Sequence, residues 1–356
     1  MSGNFTQRGE PAIICKHSRA RQAVAAGAEL VFELPVCYAL GPAEVFADAA
    51  TAILEATGTV DTLSFGSECG DVELLTSAAL TLGSEEAFEK GLESGLSYPQ
   101  ARSAALPSEL AEVLSTPNNL LGAEYIRALR SHGSDMEVFT VKRRGSGHDE
   151  PGLSGFSSAS AIRSAVLSSD TLPSEALPEF TRLEMSAEAA AGRFPVDPDA
   201  LELSILARLR TVSPSELAEV AEVSEGLENR IASCARSACD LEGFINAVKT
   251  RRYTRARIGR IAMQAVLGIT KELQHTPVPY LRLLAASDSG RTLLNEISQS
   301  SSLPLITKPA AVKSLSPAAV AVANAEARAD DIYSLLYPSV SQRTGGSFYT
   351  VSPSIR

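Results

Sequence analysis

Between residues 249 and 260 the chain reads Lys249-Thr-Arg-Arg-Tyr-Thr-Arg-Ala-Arg-Ile-Gly-Arg260, six basic residues in twelve and none acidic. In a chain whose formal net charge is -10, such a concentration attracts phosphate locally where the surface as a whole repels it. Lys249, Arg251, Arg252, Arg255 and Arg257 supply the cations, and Tyr253 supplies a flat ring on which an unstacked base can lie. A solvated helix face paired to acidic neighbours has the same composition, so RNA contact and plain solvation both stay open at this point.

Three other places carry polar chemistry. Gly66 closes an apparent strand in Phe65-Gly-Ser-Glu68, and ligands of open parallel sheets bind beyond the carboxyl ends of strands, where glycine lets backbone come close. An ordinary turn glycine looks the same. Asn118 and Asn119, in Pro117-Asn-Asn-Leu-Leu-Gly122, stand before a helical pattern, where one amide caps the helix and the other is free to read a purine edge. Ser158, Ser160 and Arg163 lie at a further helix start; hydroxyls, free amides, the helix dipole and an arginine together suit a polyphosphate. N-capping alone accounts for the serines equally well. Arg143, at the end of a strand, points toward the same crevice, unless it and Arg144 are a solvent-facing pair.

The elements that must position these groups alternate. Strand patterns at 29–35, 60–65 and 136–142 are separated by helical ones at 18–27, 42–57, 71–82, 84–94, 98–106 and 120–130, with Pro42 at a helix start and Gly58 just past its end. Alternation of this kind implies parallel strands joined by right-handed crossovers, hence an α/β, Rossmann-like open sheet. Ser and Pro accumulate over 171–198, read as a linker, and helical patterns dominate 199–268 without a convincing strand. The expected organisation is therefore an open-sheet α/β domain over 1–170 and a mainly α-helical domain over 199–356 with an irregular tail from residue 300.

At 356 residues the chain suits two domains, and with 44% hydrophobic and 21% charged residues it is globular rather than disordered. Five cysteines without a Cys-x-x-Cys pair suggest neither a disulfide framework nor a zinc site, and no metal-ligating set is expected. No run reaches the length of a signal peptide core or a membrane span, so a cytoplasmic protein without membrane contact is expected.

Taken in order, the opening Met1-Ser-Gly-Asn-Phe-Thr-Gln-Arg-Gly-Glu-Pro-Ala12, Glu33-Leu-Pro35, Phe65-Gly-Ser-Glu68, Ser97-Tyr-Pro99, Pro117-Asn-Asn-Leu-Leu-Gly122, Ser158 to Arg163 and Lys249-Thr-Arg-Arg-Tyr-Thr254 resemble the tRNA(Met) cytidine acetate ligase family over almost the whole chain. The resemblance implies a nucleotidyltransferase fold in which ATP, with Mg2+, and acetate give acetyl-adenylate, and the acetyl group passes to N4 of the wobble cytidine of elongator tRNA(Met). Carried over by position, it implies ATP contacts at Gly66, Asn118 and Arg143. Ser158, Ser160 and Arg163 resemble a Ser-x-Thr-x-Ile-Arg signature with serine for threonine, and 249–257 a tRNA surface.

Family members begin with a strand, a turn carrying a His-x-Gly-His motif and a helix, whereas this sequence opens at Met1-Ser-Gly-Asn-Phe5. None of His17, His132, His148 and His275 stands in such a motif, so no catalytic residue is assigned. Those histidines stabilise charge developing on phosphate, and the segment also supplies a central strand. A start codon placed downstream of the true one is the expected explanation. Two other functions compete: an RNA-binding protein that has lost catalysis with that motif, and an adenylyltransferase acting on a small phosphorylated metabolite and indifferent to tRNA.

Overall fold

A computed structural model of the chain describes residues 1–81, 90–91, 94, 101, 107–144, 157–168, 173–224 and 226–355. The helices expected at 84–94 and 98–106 fall almost wholly outside the described residues, as do Ser97-Tyr-Pro99 and His148.

The N-terminal half runs α1 (Lys16–Ala25), β1 (Leu30–Phe32), α2 (Ala43–Thr57), β2 (Thr62–Ser67), α3 (Val72–Thr81), α4 (Pro117–His132) and β3 (Glu137–Lys142). Gly58 ends α2 at φ 67°, the left-handed cap its position predicts. Helix α4 starts earlier than the expected residue 120, because Pro117 takes the first helical position, where a missing N–H costs nothing. Asn118 and Asn119 thus lie inside the first turn rather than ahead of it. Strand β2 likewise extends through Gly66 to Ser67, so Gly66 is the penultimate strand residue.

Strands β2 and β3 pair in parallel, Thr62 opposite Glu137 through Ser67 opposite Lys142, as the crossover reading requires. One face of this pair is covered by α3 and α4, with Phe65 and Val138 packed against Leu75, Ala78, Ala123 and Ile126. Gly122 makes the close approach possible, since a Cβ there would sit 2.5 Å from the Phe65 ring.

β1 does not join these strands. It pairs antiparallel with β4 (Leu281–Ala286), Leu30 facing Ala286, and β4 also pairs in parallel with β5 (Leu305–Ile306) and β6 (Ser354–Ile355). The sheet expected from the first three strands is thus two sheets, separated by an apolar groove of about 360 Å³ lined by Val31, Phe32, Leu63, Phe65 and Tyr125. β4 escaped the sequence pattern because all six of its residues are buried, which removes the alternation that marks a half-buried strand.

The remaining long helices are α5 (Ala159–Ser168), α6 (Glu179–Ala190), α7 (Glu202–Thr211), α8 (Leu227–Ser237), α9 (Leu241–Val248), α10 (Arg255–Leu267), α11 (Gly290–Ser300) and α12 (Pro317–Ser334). Among the described residues of 199–268 there is no strand, as expected. Helix α6 occupies the stretch read as a linker and meets α1, where Ser18 and Arg21 engage Glu188 at 2.7 and 3.1 Å and Arg21 reaches Glu184 at 2.8 Å. Within the supposedly irregular tail, Ser316 caps α12 through Ala319 N–H, and a continuous core of buried side chains runs from Phe5 and Leu34 to Tyr333 and Phe348.

A fully buried ionic cluster ties the two ends of the chain. Lys16 Nζ lies 2.7 Å from Glu33, 3.0 Å from Glu326 and 2.7 Å from Asp330, while Arg282 holds the other oxygen of Glu33 at 2.8 Å. Asn4 donates to Asp330 and accepts from Lys16 N–H. Charges withdrawn from water this completely persist only when each is paired.

Candidate nucleotide and RNA sites

The loop after β2 is built from hydroxyls and a glycine. Ser67 Oγ lies 2.7 Å from Thr140 Oγ1 and accepts the Gly70 N–H at 2.9 Å, closing a turn at the end of the strand. Gly70 has φ 66°, and a Cβ there would lie 2.5 Å from Cβ of Lys142, so only glycine lets this loop lie against β3.

From the loop, Glu68 reaches the start of α4. Its carboxylate accepts the backbone N–H groups of Asn118 (3.3 Å) and Asn119 (2.8 Å), the side-chain amide of Asn118 (2.6 Å) and the hydroxyl of Thr116 (3.1 Å). In return Asn119 Oδ1 accepts Glu68 N–H at 2.9 Å and Cys69 N–H at 3.1 Å. Burial works to raise the Glu68 pKa, but the hydrogen bonds from Asn118 and the backbone outweigh it and hold the group below its ordinary value. Of the two asparagines it is Asn119, buried and bonded to Val113 C=O through its amide, that serves the backbone.

Arg143 directly follows β3, its N–H donating to Ser67 C=O at 2.9 Å. Its side chain is exposed and passes beside Gly66, where a Cβ would stand 3.5 Å from Arg143 Cγ. Gly66, Asn118 and Arg143 therefore gather at the carboxyl ends of two parallel strands, the place where open sheets bind ligands. Gly66 itself has no left-handed torsion to satisfy.

Ser158 is the N-cap of α5: its Oγ accepts Ala161 N–H at 3.1 Å and lies 3.1 Å from Ser160 Oγ. Arg163 sits one turn on. The apolar face of α5, Ile162 and Val166, packs with Ile14, Met185 and Phe194, a different cluster from the one beneath Gly66, and the connection over 145–156 lies outside the described residues.

The basic stretch divides in two. Lys249 and Arg251 are exposed and Arg252 is half-buried. Arg255 is paired with Glu242, and Arg257 donates to Glu222 C=O at 2.7 Å and Ser224 Oγ at 3.0 Å. The expectation for Tyr253 is corrected: the ring is 9% exposed, belongs to the core, and carries the Arg257 guanidinium 5.2 Å from its centre. Burial of the ring between α9 and α10 leaves no open face for a base.

Arg252, Arg257 and Arg260 also line a groove of about 810 Å³, together with Val45, Asp48 and His132. His132 closes α4, so the groove lies about 20 Å along that helix from Asn118 at 1.5 Å rise per residue. The sequence held no sign of this groove, nor of the role of Glu68, because their parts come from segments far apart in the chain.

Residues 1–347 match the HIGH Nucleotidyl Transferase family model. A protein of Syntrophomonas wolfei described as tRNA(Met) cytidine acetate ligase is 38% identical over 99% of this chain and 90% of its own length. An Acetivibrio thermocellus protein of the same description is 37% identical over 98% and 90%. The chain belongs to the tRNA(Met) cytidine acetate ligase family.

Among solved structures, that of Thermotoga maritima TmcAL bound with alpha-thio ATP superposes with a TM-score of 0.93 at 31% identity, covering 100% of this chain and 91% of the other. Its apo form gives 0.94. The family's α/β nucleotidyltransferase fold is thus the fold of this chain.

Proposed function

We propose that this protein is an ATP-dependent tRNA(Met) cytidine acetate ligase. The observation that carries the reading is the gathering of Gly66, Asn118 and Arg143 at the carboxyl ends of β2 and β3, in a chain that matches ligases of this description along nearly all its length. Acetate attacks the α-phosphorus of ATP, pyrophosphate leaves, and the acetyl-adenylate then loses AMP as N4 of the wobble cytidine of elongator tRNA(Met) attacks the acetyl carbon. Adenylation turns a poor leaving group into a good one.

In this reading the base sits by Asn118, Gly66 leaves room for the nucleotide, and Arg143 takes phosphate charge, with Ser158, Ser160 and Arg163 completing the polyphosphate site. Mg2+ arrives with the triphosphate: among the described residues no three His, Cys, Asp or Glu side chains cluster as a resident site, and Mg2+ commonly keeps waters and phosphate oxygens as ligands. Residues 1–170 would form the ATP-binding part and 199–356 the RNA-binding part, with Lys249, Arg251, Arg252, Arg255 and Arg257 along the tRNA. Among the described residues no helix is long and apolar enough to cross a membrane, which suits a cytoplasmic enzyme.

The test is incubation of the chain with ATP, acetate and tRNA(Met), nucleoside analysis by mass spectrometry, and calorimetric titration with ATP. Binding of ATP and of tRNA(Met) is expected of this chain, and N4-acetylcytidine at the wobble position of a protein that also carries the family's His-x-Gly-His motif. A chain that binds neither ATP nor tRNA(Met) would overturn the assignment.

A further inference from the structure

We propose that Glu68 is the residue that makes the nucleotide site select adenine, by fixing which edge of the Asn118 amide faces the base. The proposal rests on the reading of Asn118 as a base contact and adds to it a cause for its orientation. An asparagine amide is nearly symmetric in shape and can present either its oxygen or its NH2 group at a given point. A carboxylate only accepts. With Glu68 Oε1 at 2.6 Å from Asn118 Nδ2, the NH2 group must be the end turned to Glu68.

No described residue takes Asn118 Oδ1. The side chain is therefore left with one acceptor and one remaining N–H, the pair that matches the 6-amino group of adenine and the ring nitrogen beside it. Hypoxanthine and guanine carry an oxygen at position 6 and meet that acceptor with another acceptor.

The same carboxylate decides which end of the nucleotide comes here. Helix N-termini ordinarily draw phosphate, but the first free amides of α4 already donate to Glu68. A triphosphate approaching them would meet a negative charge, whereas an amino group would not. The base is thus directed to α4 and the phosphates toward Arg143.

The proposal predicts that Glu68→Gln relaxes base selection. Glutamine both donates and accepts, so it no longer fixes which end of the Asn118 amide faces it, while its one oxygen still accepts the shorter backbone bond, from Asn119 N–H. Affinities of the full chain for ATP and inosine triphosphate, measured by calorimetry, should favour ATP by about tenfold or more in the wild type, and the ratio should fall several-fold in E68Q. Asn118→Ala should abolish the preference and make E68Q without further effect on the ratio.

A purely structural Glu68 would instead lower both affinities in the same proportion, with the thermal midpoint, and leave the ratio unchanged; that result overturns the proposal. So does an E68Q effect that persists in the N118A background. A wild type that binds neither nucleotide overturns the ATP reading itself, which keeps the two failures distinct.

Discussion

Arg143 and Asn119 show how unequal the duties of site residues are. Arg143 leaves the end of β3 exposed, with no ion pair among the described residues, so its charge is available and its removal costs the fold little. Arg143→Ala should weaken ATP binding about tenfold, the usual worth of one hydrogen bond to a charged group, with the thermal midpoint unchanged; calorimetry and a melting curve read the two. Asn119 is the opposite, buried and bonded on three sides. Its neighbour Asn118 spends one side-chain N–H on Glu68. That one of two adjacent asparagines serves the backbone was legible; that it is Asn119, with the Asn118 amide turned to Glu68 some fifty positions away, was not.

At the scale of elements, the turn from α9 into α10 settles how much of the basic stretch faces solvent. Thr254 caps α10 through Arg257 N–H at 3.3 Å, a local signal any Thr before a helical pattern offers. The burial of Tyr253 and the capture of Arg257 and Arg260 by the Glu222 segment are not local, and composition alone overstated the free charge. Arg255 pairs with Glu242 at an exposed site, a bond worth little, so it remains available to RNA at small cost. Replacing Arg251, Arg252 and Arg255 together by alanine should weaken tRNA binding and lower the slope of log affinity against log salt by up to about three. A filter-binding series across salt concentrations measures it, and an unchanged slope would remove this stretch from the RNA surface.

Across the whole molecule the cluster around Lys16 joins α1, β4, α12 and the residue that follows β1. Lys16→Met leaves three buried carboxylates facing one arginine and should cost about 3–5 kcal/mol, seen as a lower denaturation midpoint. Burial first, and then the charge of Glu33, raise the Glu326 pKa from 4.5 to about 8. The native state holds that proton more tightly than the unfolded chain, so the stability it contributes is full below pH 4.5 and lost as pH rises through about 8. His17 and the Met1 amino group are lowered to about 3 and about 6, by burial above all, and titrate in any variant alike. The difference in thermal midpoint between the wild type and Glu326→Gln should therefore shrink steadily from pH 4.5 to 8; a constant difference would show that Glu326 does not change its charge there.

Local pattern by itself determined the helix and strand succession of the first half, the parallel pairing of β2 with β3 and the glycine cap of α2, because these depend on neighbours a few residues apart. Only the tertiary structure decided that β1 belongs with β4, that Tyr253 is core, that Glu68 commands the start of α4, and that Lys16 is balanced by Glu33, Glu326 and Asp330. Each of these sets partners from distant segments against one another. Their energy comes from excluding water and pairing charge in a low dielectric, terms that exist only once the chain has closed on itself.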